Sequence, residues 1–236
     1  MNSKTVEKKD NGPRKGSNYI ITATSLLLGL LLAMVGGFLD AYTYVTRNGV
    51  FANAQTGNVV LLGVKMAQGQ WHQAFIHIPP ILAFIIGVAL AERMKHPKKP
   101  HNTARFVLLI ECIILFVIGF IPVVVPNIII TSLIAFVASV QVAYFDKLDK
   151  WSYNNTVATG NLRTASQAAY LALFTHDKKE KVRFTRFLGI VLAFFTGALL
   201  GAYVVPCLGI KSVWIAAMSL LGAVFLFRNE DGAWEN

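Results

Sequence analysis

Asp40 is the residue in this chain with the most chemistry to account for. It ends the string Gly36-Gly37-Phe38-Leu39-Asp40 inside an apolar run from Ile20 to Val45. A carboxylate in such a run is costly unless it is paired, protonated or wet. Arg47 lies two helical turns further on, past the i+3 and i+4 positions that face Asp40, so the partner has to come from elsewhere. Tyr42, Tyr44 and Gln55 are close in sequence. So placed, Asp40 has the chemistry of a proton- or cation-coupling group.

The other candidates for that partner come from a tripeptide that occurs twice, Thr56-Gly57-Asn58 and Thr159-Gly160-Asn161. Gly lets the backbone turn or approach closely, and Thr and Asn can cap a helix start, where free N–H groups also attract anions. The competing reading is structural: the same residues cap and pack two buried helices. Gln141 and Arg163 add hydrogen-bonding groups to the second half. The candidate substrate- or ion-binding set is therefore Asp40, Gln55, Thr56, Gly57, Asn58, Gln141, Thr159, Gly160 and Asn161. Arg163 reads equally well as an interfacial anchor, and Glu111 is expected to snorkel toward the basic loop at Arg105.

The elements that position these residues are membrane spans. Of 236 residues, 55% are hydrophobic and 14% charged, against about a quarter charged in soluble domains, and the mean hydropathy is +0.53. The net charge of +10 would suit a nucleic-acid binder, but 15 of the 22 Lys/Arg fall in residues 1–18, 92–105 and 176–186. That clustering between apolar runs is the pattern of cytoplasmic loops, not of a nucleic-acid surface.

Apolar runs predict spans at Ile20–Val45, Phe75–Ala91, Phe106–Val125, Ile128–Phe145, Phe187–Val205 and Val213–Phe227. The first is expected to be an uncleaved helix rather than a signal peptide. Segments 51–66 and 156–174 hold the two Thr-Gly-Asn tripeptides and are only semi-apolar. The basic tail and the 92–105 loop should share one side, so an even number of crossings separates them and the 51–66 segment dips in and returns. The result is six crossings with both termini cytoplasmic; seven or eight is the competing layout.

The two halves look related. Leu82-Ala83-Phe84-Ile85-Ile86-Gly87 lines up with Leu192-Ala193-Phe194-Phe195-Thr196-Gly197, and Gly36-Gly37 with Ala41-Tyr42 lines up with Ala138-Ser139 with Ala143-Tyr144. Three crossings per half would make the halves inverted repeats, an architecture of secondary transporters in which interrupted segments meet near the midplane. The expected class is an all-α polytopic bundle: a basic cytoplasmic tail at 1–18, a first repeat at 19–125, a second at 126–228 and a short tail at 229–236.

Catalytic chemistry finds little support. The histidines form no His-Glu-x-x-His pattern, and no Gly-x-Ser-x-Gly or phosphate-binding loop occurs. Cys112 and Cys207 stand apart from any second cysteine or histidine at metal-ligand spacing. No enzyme, cofactor or metal is expected. The expected partners are the lipid bilayer and a small-molecule or ion substrate, with oligomeric state unspecified.

With Gly36-Gly37-Phe38-Leu39-Asp40-Ala41-Tyr42, then Phe51, Thr56-Gly57-Asn58 and Thr159-Gly160-Asn161-Leu162, residues 20–228 resemble the YoaK-like family of uncharacterised multi-pass bacterial membrane proteins. The resemblance implies a plasma-membrane location and carries over no substrate or catalytic residue. One departure is visible: Gln141-Val142-Ala143 stands where relatives often have Gln-Asn-Ala, so the second half lacks a polar counterpart to Asp40. A small secondary transporter or permease is the leading expectation, ahead of a passive pore or an interaction scaffold.

Overall fold

A computed structural model describes residues 22–95 and 102–227. The tails at 1–18 and 229–236 and the middle of the 92–105 loop lie outside the described residues. The described residues are 78% helix, with a two-residue antiparallel pairing, β1 (Lys147–Leu148) with β2 (Trp151–Ser152), as the exception among them.

The helices are α1 (Leu26–Thr46), α2 (Gln55–Ala67), α3 (Trp71–Phe75), α4 (Ile78–Met94), α5 (Thr103–Ile118), α6 (Asn127–Tyr144), α7 (Ala158–Thr175), α8 (Lys178–Leu208) and α9 (Val213–Leu226). Their ends follow local chemistry. Ser25 caps α1 by accepting from the Leu28 amide, and Asp177 caps α8 by accepting from that of Lys179. Pro79 and Pro80 sit in the first turn of α4, where a missing N–H costs little.

Four stretches are long and apolar enough to cross a membrane: Leu26–Thr46, Trp71–Met94, Asn127–Tyr144 and Lys178–Leu226. The last contains both α8 and α9, joined by a 3-10 turn at Gly209–Ser212. The expected span Phe106–Val125 is shorter than the sequence suggested. Helix α5 stops at Ile118 after 16 residues, below the roughly 20 of a straight crossing. Large apolar side chains stay on the outer faces, Ile86, Phe195, Tyr203 and Phe225 among them, which suits contact with lipid rather than water.

The bundle is organised by two helix pairs, α1 with α8 and α4 with α6. Glycine makes both pairs close. A Cβ on Gly197 would collide with the Met34 carbonyl, and one on Gly37 with the Phe194 carbonyl. One on Gly87 would collide with the Ser139 hydroxyl and come within 2.5 Å of the Phe136 carbonyl. Helix α9 packs on α5, where Trp214 donates to the Phe116 carbonyl and Cys112 to that of Ala217.

Contacts between helix ends define two faces of the bundle. At one end Lys95 pairs with Asp146 and Glu92, Arg186 with Asp149, the Asp149 amide bonds the Thr24 carbonyl, and Arg105 bonds the Val224 and Phe227 carbonyls. Burial alone would lower the pKa of Lys95, but its bonds to Asp146 and Glu92 outweigh that and hold it above the ordinary value. At the other end Arg47 meets Asn127, and Tyr42 meets Ile210. We call these the acidic end and the arginine end.

Candidate functional site

The backbone leaves α1 through Arg47 and a left-handed turn at Asn48 (φ 60°) and Gly49 (φ 74°). It then descends beside α1 until Asn53 reaches the middle of that helix. There the Asn53 amide donates to Asp40 Oδ1 at 2.7 Å, with the Ala54 amide at 3.4 Å, while Asn53 Nδ2 donates to the Gly36 carbonyl at 3.1 Å. The partner of Asp40 is thus the backbone just before α2. It is not the Thr-Gly-Asn hydroxyls and amides, nor Tyr42, Tyr44 or Gln55.

Asp40 Oδ2 and Asn53 Oδ1 have no hydrogen-bond partner, and both are buried. The Asn53 amide cannot be turned to relieve this, because its nitrogen is committed to the Gly36 carbonyl. Two acceptor oxygens on two residues that bond each other are therefore left without a donor, at the centre of a span.

The second half arrives at the same place from the other end. After β2 the chain climbs past Tyr153, whose hydroxyl lies beside Gly29, to Thr156, whose methyl lies 2.6 Å from where a Gly36 Cβ would stand. Asn53 and Thr156 each precede the asparagine of a Thr-Gly-Asn tripeptide by five residues, and both lie against Gly36. A side chain at Gly36 would separate the two loops.

Within the tripeptides only the asparagines are buried. Asn58 Nδ2 donates to the Phe51 carbonyl at 2.8 Å and to Gln55 Oε1 at 2.9 Å, while its Oδ1 accepts from the Phe51 amide at 3.0 Å. Asn161 Nδ2 donates to the Asn154 carbonyl. Each asparagine ties the start of its helix back to the loop before it. Gly57 is needed because the Phe51 ring lies 2.9 Å from its missing Cβ, whereas Gly160 meets only an ordinary contact with Val157. Thr56, Thr159 and Gly160 are exposed. Gln141 is buried with its Nε2 unpartnered.

Three residues outside the candidate set belong to this description, and for one of them, Glu111, the structure overturns the expectation. His77 is buried, with Nδ1 3.2 Å from Asn58 Oδ1. An amide oxygen only accepts, so Nδ1 carries the proton. Arg47 is buried at 0% exposure. Glu111 does not snorkel: it is buried between α5 and its neighbours, and neither carboxylate oxygen has a partner. Arg163 is exposed on α7. No group of three or more potential metal ligands occurs among the described residues.

Long apolar helices with lipid-suited outer faces and buried polar groups define a multi-pass helical membrane protein. Residues 28–226 match the DUF1275 family, whose description is a protein of unknown function, and the chain belongs to that family. It is also similar to the UPF0700 transmembrane protein YoaK of Bacillus subtilis (strain 168), at 29% identity over 205 residues, covering 81% of this chain and 89% of the relative. No solved structure matches the chain.

Proposed function

We propose that this protein is a small secondary transporter of the bacterial cell membrane and not an enzyme, working as two inverted three-span repeats with both termini cytoplasmic. The observation that carries this reading is the meeting of Asn53 and Thr156, matched residues of the two halves, against Gly36 one turn from Asp40. Their loops enter from opposite ends of the bundle. Irregular backbone at membrane depth is tolerated where it is buried in protein or lines a cavity, and transporters place their sites at such junctions.

The pairing of helices supports the repeat. If Gly36-Gly37 corresponds to Ala138-Ser139, then Met34 corresponds to Phe136, and Gly197 meets Met34 as Gly87 meets Phe136. On this reading α1, α5 and α8 run toward the arginine end, and α4, α6 and α9 run back, making six crossings. Asp40 Oδ1 holds the first loop while Oδ2 takes a proton or a small cation. Charging or neutralising that carboxylate changes its hold on the Asn53 amide, and with it the junction between the halves.

Two measurements test the proposal. In a chain with Cys112 and Cys207 replaced by serine, Gln70→Cys and Val124→Cys are expected to label from outside, and Lys150→Cys and Lys179→Cys from inside. Gln70 and Val124 on opposite sides would end the inverted-repeat reading. In proteoliposomes under an inward proton gradient, a mixture of amino acids, sugars and organic acids should show at least one solute accumulated by the wild type and not by Asp40→Asn. No accumulation above empty vesicles sinks the transport reading, and uptake untouched by Asp40→Asn turns it into a passive pore.

A further inference from the structure

A cavity of about 200 Å³ opens at the arginine end, between the residues that follow α1, those of and just after α3, and the start of α6. His72 and Asn48 are exposed and form its rim, while Arg47, Val50 and Thr131 are buried and form its floor. The Arg47 guanidinium donates to Asn127 Oδ1 at 3.0 Å and to the Tyr42 hydroxyl at 3.1 Å, with its carbon 5.9 Å from the Tyr42 ring centre. These partners are neutral, and Nε has none.

Arginines this deeply buried are ordinarily neutralised by a carboxylate. Here none is within reach among the described residues. The acidic residues described are Asp40, Glu92, Glu111, Asp146, Asp149, Asp177 and Glu180. Asp40 and Glu111 lie within helices, and the other five belong to the acidic end or the helices that reach it. The arginine end holds Arg47, Lys65, His72 and Lys211, and no carboxylate among the described residues. The first turn of α6, Asn127 and Ile128, also faces the cavity, adding the free amides and positive dipole end of an 18-residue helix.

We propose that this cavity binds a small organic monoanion, a carboxylate with a short hydrocarbon tail. One uncompensated cation calls for one negative charge. A guanidinium edge beside helix amides matches a carboxylate. Val50, Ile76, Pro126 and Ile128 offer apolar walls that suit a hydrocarbon tail and not the extra oxygens of phosphate. The cavity is smaller than the roughly 300 Å³ at which drug-sized sites begin, which limits the tail to a few carbons. As the substrate class of the transporter this rests on the reading above; as a binding site it stands apart from it, and the test involves no flux.

The probe is sodium butyrate, added to the full chain purified in detergent micelles, with thermal unfolding followed at constant ionic strength against sodium chloride and inorganic phosphate. Butyrate should raise the midpoint saturably, by about 2–4 °C once it reaches several times its Kd, with chloride and phosphate inert. Arg47→Gln should abolish the rise. Because that variant removes a buried side chain and can fail to fold, Ile76→Trp fills the cavity from its partly exposed wall and should abolish the rise with Arg47 in place. A butyrate effect that fails to saturate, that persists in Ile76→Trp, or that phosphate reproduces overturns the proposal.

Discussion

The loop before α2 and the loop before α7 solve one problem in two ways. Each enters the bundle, meets Gly36 and hands over to a helix whose buried asparagine reaches back seven residues, from Asn58 to Phe51 and from Asn161 to Asn154. They differ in what satisfies the amide at the tip. In the first loop the Asn53 amide is held by Asp40 from another helix. In the second, the matching amide of Thr156 is held by the side chain of Asn154, two residues away, which also accepts from the Thr156 hydroxyl. In the alignment of the two halves on which the proposal rests, Val142 stands opposite Asp40. A buried amide needs an acceptor, and a neutral local one serves. Satisfying the backbone therefore does not explain why the first loop uses an ionisable group, and this surplus is what supports the coupling role proposed for Asp40.

The comparison breaks most completely at the helix crossings on which both loops depend. Gly197→Ala and Gly87→Ala each drive a methyl into a backbone carbonyl and should destabilise by about 3 kcal/mol or more, read as loss of monodisperse protein after extraction in mild detergent. If only one is damaging, the two crossings are not equivalent.

Asp40 separates acceptor from charge. Asp40→Ala leaves the Asn53 amide buried without a partner and should cost about 1–3 kcal/mol. Asp40→Asn keeps an acceptor oxygen and should cost less than about 1 kcal/mol, measured as thermal unfolding in micelles. Equal losses from the two would mean that the charge itself holds the loop.

The two asparagine latches should differ as their bonding does. Asn58→Ala removes three hydrogen bonds and the acceptor for His77, whereas Asn161→Ala removes the one to Asn154. The first is expected to lower stability by about 2–3 kcal/mol and the second by about 1 kcal/mol, with proteolysis within 48–54 or 153–157 reporting which loop has come loose. Asn154→Ala should cost about 1 kcal/mol by releasing the Thr156 amide. The smallest effect belongs to Thr56→Ala and Thr159→Ala, both exposed, which should stay within about 0.5 kcal/mol of wild type. A larger change in transport than in stability there would mark the hydroxyls as lining groups.

Much of this frame is legible before any coordinates. Apolar runs and the placement of lysine and arginine identify a membrane protein because partition into lipid is a local, additive property of composition. The doubled Thr-Gly-Asn, with its matched Gly87 and Gly197, points to the segments that matter because close approach of backbones needs glycine at particular positions. Span limits were less legible: α5 ends at Ile118 and not at Val125, since an apolar turn such as Gly119–Val125 has the composition of a helix without its hydrogen bonds.

What only the tertiary structure decided concerns partners. The group that holds Asp40 is a backbone amide, which every residue but proline carries and no side-chain pattern can reveal. Arg47 reads as a residue two helical turns beyond Asp40, just past the end of a span, yet Tyr42 of α1 and Asn127 of α6 meet it and the charge is buried with only neutral partners. Glu111 sits close enough to Arg105 in sequence to reach the interface, and the packing of α5 turns it inward instead. Composition decides whether a segment leaves water; which polar atoms meet once it has left depends on how segments distant in the chain close upon one another.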